Sequence, residues 1–134
     1  MTAMLSRRRF LALAPLALLA RPAWAMGGRN PKHPTPRPGI TAARVLPDAK
    51  LTEKSAAPVY AMVREMPQVV DGIRCNCGCA ELAGFYSLLT CYEQGGMAQH
   101  CTICQGQARL AHKLHADGWS LNGIRRAIDA EFGD

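Results

Sequence analysis

The chain has 134 residues, 49% hydrophobic, 6% aromatic and 19% charged, with a formal charge of +6. That length allows one small domain plus appendages. Much of the positive charge lies in a start segment expected to be removed: Arg7, Arg8, Arg9 and Arg21 leave with it, taking sixteen basic against ten acidic residues to twelve against ten, or +2. Residues 26 to 54 hold six basic and two acidic residues, and residues 55 to 134 hold six and eight. The folded part therefore has no electrostatic footprint for nucleic acid, and that class of partner is set aside.

The first 25 residues read as a signal peptide. Arg7, Arg8 and Arg9 form a basic start, Phe10 to Ala20 is an apolar run, and Ala23-Trp24-Ala25 supplies the small-x-small cleavage pattern, leaving Met26 as the new first residue. The run is 11 residues long with Pro15 inside it, against the roughly 20 a spanning helix needs, so no membrane span is expected after cleavage. Ser6-Arg7-Arg8-Arg9-Phe10-Leu11 resembles the box of twin-arginine signals, whose route exports folded proteins. The expected location is periplasmic or otherwise exported.

Residues 26 to 54 read as a flexible linker: Pro31, Pro34, Pro36 and Pro38 follow Gly27 and Gly28 with no apolar period. His33 is read there as a solvated residue. Residues 55 to 134 are expected to fold, as three to four short helices around a cysteine-rich loop, an all-α class with no convincing strand. Ser55 is placed to cap a first helix with Pro58 in its first turn and Val59, Met62 and Val63 on one face, ending before Pro67. Ser87 caps a short helix through Leu88, Leu89 and Tyr92. The longest helix runs from His100 to Asp117, with Ile103, Leu110 and Leu114 as its inner face and Gly118 as its stop. Ser120 caps the last, in which Leu121, Ile124, Ile128 and Phe132 keep the apolar period to Gly133.

All six cysteines fall between residues 75 and 104: Cys75-x-Cys77-x-Cys79, then Cys91, then Cys101-x-x-Cys104. In an exported chain an even count is a disulfide candidate, and six allow 15 pairings. The triplet is so close that each member would need its own distant partner of suitable geometry. Alternate residues of an extended or looped chain can instead point to one side, and Gly78 lets it curl so that three sulfurs converge on one soft ion. Thiolates favour copper(I), zinc and iron-sulfur clusters, although the spacing matches neither common ferredoxin pattern. Cys101 and Cys104 at a helix start add sulfurs whose pKa the dipole lowers.

On the same helix His112 and His115 extend the cysteine face but begin about 12 Å beyond Cys104, too far to share its ion. His100 is the better placed histidine, either as a ligand or as a group that lowers a thiol pKa. No Ser/His/Asp arrangement, phosphate-binding glycine loop or paired carboxylate is present.

Ile73-Arg74-Cys75-Asn76-Cys77-Gly78-Cys79, with Ser87-Leu88-Leu89-Thr90-Cys91, Cys101-Thr102-Ile103-Cys104, Gly118-Trp119-Ser120, Ile124-Arg125 and Phe132-Gly133, resembles the bacterial PCYCGC-motif proteins, also called the CYCXC family. The likeness covers roughly residues 57 to 133. It implies a small exported protein or lipoprotein, and because some members have selenocysteine in the motif it implies reactive thiols rather than purely structural ones. Arg74 and Asn76 replace the motif's proline and tyrosine, and no lipobox cysteine precedes the mature start. A shorter likeness, Cys101-x-x-Cys104-Gln105-Gly106-Gln107 with Gly118-x-Ser120 and Phe132-Gly133-Asp134, is to the helical thiol reductants of cytochrome c maturation, which lack the triplet.

Together these point to an exported module that binds a soft metal, copper(I) ahead of zinc, through Cys75, Cys77, Cys79, Cys91, Cys101 and Cys104. An exported protein partner is a further expectation. The alternatives are a thiol-disulfide redox protein using Cys101 and Cys104 with the triplet, and a disulfide-stapled interaction domain without metal. The signal reading has its own test: N-terminal sequencing of exported protein should start at Met26, and replacing Arg7 and Arg8 together by Lys should abolish export. Undiminished secretion of that variant would assign the general route instead.

Overall fold

The computed structural model describes residues 33–133, and the expected signal peptide lies outside them. Among the described residues the fold is all-helical: α1 (Ala57–Glu65), α2 (Pro67–Asp71), α3 (Thr102–Ala116) and α4 (Leu121–Phe132), joined by short 3₁₀ turns and no strand. None of these helices is long and apolar enough to cross a membrane.

The helix ends follow from the sequence, with one exception. Pro58 sits in the first turn of α1, and Pro67 opens α2, where a missing N–H costs nothing. Ser120 Oγ accepts from Gly123 N–H at 3.1 Å to start α4, and Gly118, at φ +83°, closes α3 with its N–H on the His115 carbonyl. The exception is α1. The 3₁₀ turn before it, Lys54–Ala56, is capped by Glu53, whose carboxylate accepts from the Ser55 N–H and hydroxyl, so Ser55 supports the cap rather than making it.

The inner face of α3 is also rotated from expectation. Cys104, Gln107, Ala108, Ala111 and Leu114 are buried, while Ile103 is 40% exposed and Leu110 half-buried. The true face lies roughly 75° round the axis from the one centred on Ile103, Leu110 and Leu114. Two alanines there let α1 and α4 approach closely, and at Gly106 a Cβ would come within 2.9 Å of the Phe132 ring. Val59, Tyr60 and Val63 of α1 and Ile124 and Ile128 of α4 fill the core. Tyr60 and Tyr92 meet edge to face with centroids 4.8 Å apart, and Tyr92 Oη donates to the Cys104 carbonyl at 2.8 Å.

The linker expectation is corrected over the described part of residues 26 to 54. Ile40, Val45, Leu46 and Leu51 are buried in the same core as the helices. Leu46 N–H donates to the Tyr92 carbonyl at 2.9 Å, Arg64 Nη2 donates to the Leu46 carbonyl at 2.6 Å, and Gln99 Oε1 accepts from the Thr52 and Glu53 N–H groups. Pro34, Pro36 and Pro38 stiffen a stretch that lies against the helices: Arg125 Nη2 donates to the Pro34 carbonyl at 2.7 Å, and Pro36 packs so near Gly72 that a Cβ there would meet it at 3.0 Å. A proline-rich segment loses little entropy on docking, so composition alone could not tell a strap from a tether.

Two polar contacts fasten this strap. Arg37 donates from Nη2 to Asp71 Oδ1 at 2.7 Å and from its backbone N–H to Oδ2 at 2.8 Å, while Ser87 Oγ donates to Oδ1 at 2.7 Å. Burial pushes the Asp71 carboxyl up, but Arg37 and Ser87 outweigh it and hold it below the usual carboxylate range. His33, far from solvated, is half-buried, with Nε2 3.0 Å from Asp129 and Nδ1 accepting from the Arg74 N–H at 3.0 Å. Because the strap belongs to the core, Leu51→Ala should lower unfolding stability by about 2–5 kcal/mol in urea titration. A loss under about 0.5 kcal/mol would return this segment to the status of a tether.

Candidate metal centre

Five of the six cysteine sulfurs, those of Cys75, Cys77, Cys79, Cys91 and Cys104, lie within 4.8 Å of one another. They come from three stretches of chain. The segment after α2 runs through Cys75 and Cys77, then reverses at Gly78, whose φ of +94° admits a glycine and strains any residue with a Cβ. This brings Cys79 back toward its neighbours at the start of the 3₁₀ turn Cys79–Glu81. Cys91 sits in the 3₁₀ turn Leu88–Tyr92, started by reciprocal bonds between Ser87 and Thr90. Cys104 comes from the first turn of α3, on its buried face.

Backbone contacts hold each stretch. The Leu88 N–H donates to the Ile73 carbonyl at 2.8 Å, tying the second stretch to the first. Gln107, fully buried on α3, grips the chain on both sides of Cys75: its Nε2 donates to the Arg74 carbonyl and its Oε1 accepts from the Asn76 N–H, each at 3.0 Å. Gly96 presses on the backbone of Cys91, where a Cβ would stand 2.2 Å from the carbonyl oxygen, so only glycine fits.

Within the cluster, Cys75 Sγ is 3.1 Å from Cys77 Sγ and 3.4 Å from Cys104 Sγ, and Cys104 Sγ is 3.6 Å from Cys77 Sγ. Cys77 and Cys79 are joined as a disulfide, with alpha carbons 5.6 Å apart, and the other four cysteines are free. Cys75, Cys79, Cys91 and Cys104 are buried, and Cys77 is half-buried. Met97 joins them: its Sδ is 3.0 Å from Cys79 Sγ.

The thiols do not titrate alike. Donation from the Cys104 thiol, then from Cys91, with the Cys77 N–H and Arg74 adding to it, pulls Cys75 down to about 4 against the effect of burial. Cys91 is drawn down by Cys104, but the Cys75 contact and burial prevail and push it up to about 12. Cys104 is driven up by Cys75, by Cys91 and by burial. The group therefore carries one ready negative charge, on Cys75, and resists a second.

Cys101 stands apart from the five. Its Sγ accepts from the Cys104 N–H at 3.3 Å, so it serves as the N-cap of α3, a task usually given to serine or aspartate. Cys104 belongs to the cluster and Cys101 does not, and Cys101-x-x-Cys104 is not joined. The histidines are elsewhere: His112 pairs with Glu65 at 2.7 Å on the surface, and His100 and His115 are exposed. Met97, Gln107 and Gly96 belong to the site although the sequence reading gives none of them a role in it. Gln107 left one signal, since it lies three residues from Cys104 and so on the same helix side; nothing in local spacing marks Met97.

A model of the family described as "Protein of unknown function with PCYCGC motif" matches residues 40–134. No curated protein and no solved structure matches the chain. The grip of α3 on the motif is open to test. Gln107→Leu leaves the part-buried Arg74 carbonyl and Asn76 N–H without their partner, and should cost about 1–3 kcal/mol of stability while speeding alkylation of Cys75. Unchanged stability and unchanged Cys75 reactivity would show that the motif loop holds its own shape.

Proposed function

The chain belongs to the PCYCGC-motif family, whose match spans all six cysteines, and from that premise we propose that its folded part binds a soft metal ion in the cysteine cluster, copper(I) ahead of zinc. One observation carries this reading: five cysteine sulfurs from three chain segments lie within 4.8 Å, four of them buried. Neutral thiols gain little from such company, whereas thiolates around a cation gain greatly. Cys75, Cys91 and Cys104 supply three free sulfurs, and reduction of the Cys77–Cys79 disulfide by an external dithiol, which takes up the new disulfide in exchange, supplies two more. Burial protects a bound ion from competing oxygen ligands and favours a low-coordinate copper(I) thiolate. Cys101 is left out of the ligand set because it caps α3.

Export through the twin-arginine-type signal is part of the same proposal, supported by the sequence of the first 25 residues. A route that carries folded proteins would let the ion be inserted before export.

A second reading has its own observation. Cys75 Sγ, the readiest thiolate, lies 3.1 Å from Cys77 Sγ, which is already bonded to Cys79. Attack there would form a Cys75–Cys77 bond and release Cys79 as the thiolate, the arrangement of thiol-disulfide exchange. The Cys101 and Cys104 pair is the weaker basis for such chemistry, because Cys104 is buried and its thiol is driven up.

Metal titration separates the readings. Fully reduced protein should take up copper(I) stoichiometrically with sub-micromolar affinity and gain melting temperature. Cys91 and Cys104 hold their protons to high pH, so ligation must displace them. Proton competition weakens as pH rises, and affinity should therefore climb about tenfold per pH unit for each proton released between pH 6 and 8. Folded, reduced protein that takes up neither copper(I) nor zinc would sink the metal reading and leave the exchange reading.

A further inference from the structure

Met97 is the sulfur of the site that lies outside the cysteine pattern, and it is placed differently from the rest. Its side chain is 36% exposed while its Sδ touches Cys79 Sγ at 3.0 Å, whereas Cys75, Cys79, Cys91 and Cys104 are buried. The loop that delivers it is shaped around the cluster. Gly95 adopts φ +82°, and Gly96 packs against the Cys91 carbonyl with no room for a Cβ. Ala98 beyond it is fully buried, and its carbonyl accepts from Gln105 Nε2 of α3 at 2.9 Å. Met97 is thus held between an anchor on one ligand segment and an anchor on the helix that carries another.

A thioether is neutral and soft. It ligates copper(I) readily. Zinc sites are built from cysteine, histidine and carboxylate, so a thioether here distinguishes between the two ions. We propose that Met97 is a copper(I) ligand at the solvent rim of the cluster, where, once an external dithiol has reduced the Cys77–Cys79 disulfide, it receives the ion from outside together with Cys79 and passes it inward to the buried thiolates. This rests on the metal reading of the cysteines and adds to it a residue, a metal preference and a point of entry.

The test compares wild type with Met97→Leu, a swap that keeps apolar volume, in fully reduced full-length protein. Copper(I), silver(I) as a redox-inert probe, and zinc are each titrated against a competing chelator. The variant should lose about tenfold in copper(I) and silver(I) affinity, the low end of what a metal site loses with a supporting group, while zinc affinity stays within about twofold. In wild-type protein the Met97 methyl resonance should shift on adding silver(I) and stay in place on adding zinc. Equal copper(I) affinity in the two proteins, an equal fall for copper(I) and zinc, or a methyl signal that silver(I) does not move would each overturn the role of Met97. Wild type that binds no copper(I) at all is a different result: it removes the cluster reading, and Met97 with it.

Discussion

Two thiolates about 4 Å apart repel by about 4 kcal/mol at an effective dielectric constant near 20, a large fraction of the 5–15 kcal/mol that holds a domain together. Of the five sulfurs inside 4.8 Å, two are joined as the Cys77–Cys79 disulfide, and the three free thiols cannot all ionise together unless a cation sits among them. The protein meets this constraint by sharing protons: Cys75 gives one up, and Cys91 and Cys104 keep theirs and donate to it. The surrounding structure exists to keep these groups together. The amide of Gln107, the cap supplied by Cys101 and the close seat of Gly96 each fix the backbone beside one of the clustered cysteines.

That scaffold draws on a core shared by the whole described chain. The face of α3 that carries Cys104 and Gln107 is the same face that packs on α1 and α4 through Ala108 and Ala111. A shift of α3 against its neighbours would move Cys104 and the grip on Cys75 together. The buried Asp71, held by Arg37 and Ser87, couples α2 and the start of the Cys91 turn to the N-terminal strap. Packing energy is thus placed where it also fixes sulfur positions.

Three of the four α-helices, α1, α3 and α4, were legible because their signals are local, whereas α2 was not expected, Pro67 having served only as the stop for α1. Pro58, Pro67, Gly118 and Ser120 mark ends by their own backbone chemistry, and Ile124 and Ile128 by period. The inner face of α3 was misjudged because large aliphatic residues were weighted over small ones. Ile103 lies exposed beside the turn that holds Cys101, while Ala108 and Ala111 are buried because closeness of helices, not side-chain size, decides that face. The convergence of Cys75, Cys77, Cys79, Cys91 and Cys104 followed from their density, but the exclusion of Cys101 depends on one N–H at the start of a helix. The strap and Met97 were invisible for a common reason: what places them is distant in sequence, Tyr92 and Asp71 for the one and Cys79 for the other.

The histidine that ties Asp129 to the Arg74 N–H sets an order of events for a chain acquiring its shape. His33 and Asp129 are 96 residues apart, so this clasp closes only after every residue between them has been made. Contacts of such separation form late and slowly, while hairpin-scale contacts among residues 73 to 104 can come early. During that interval the reactive sulfurs stand on an unfinished surface, open to oxidants and to one another in any of their combinations. Were a soft metal or a reductant to act within this interval, timing as well as affinity would decide between ligation and pairing of the thiols.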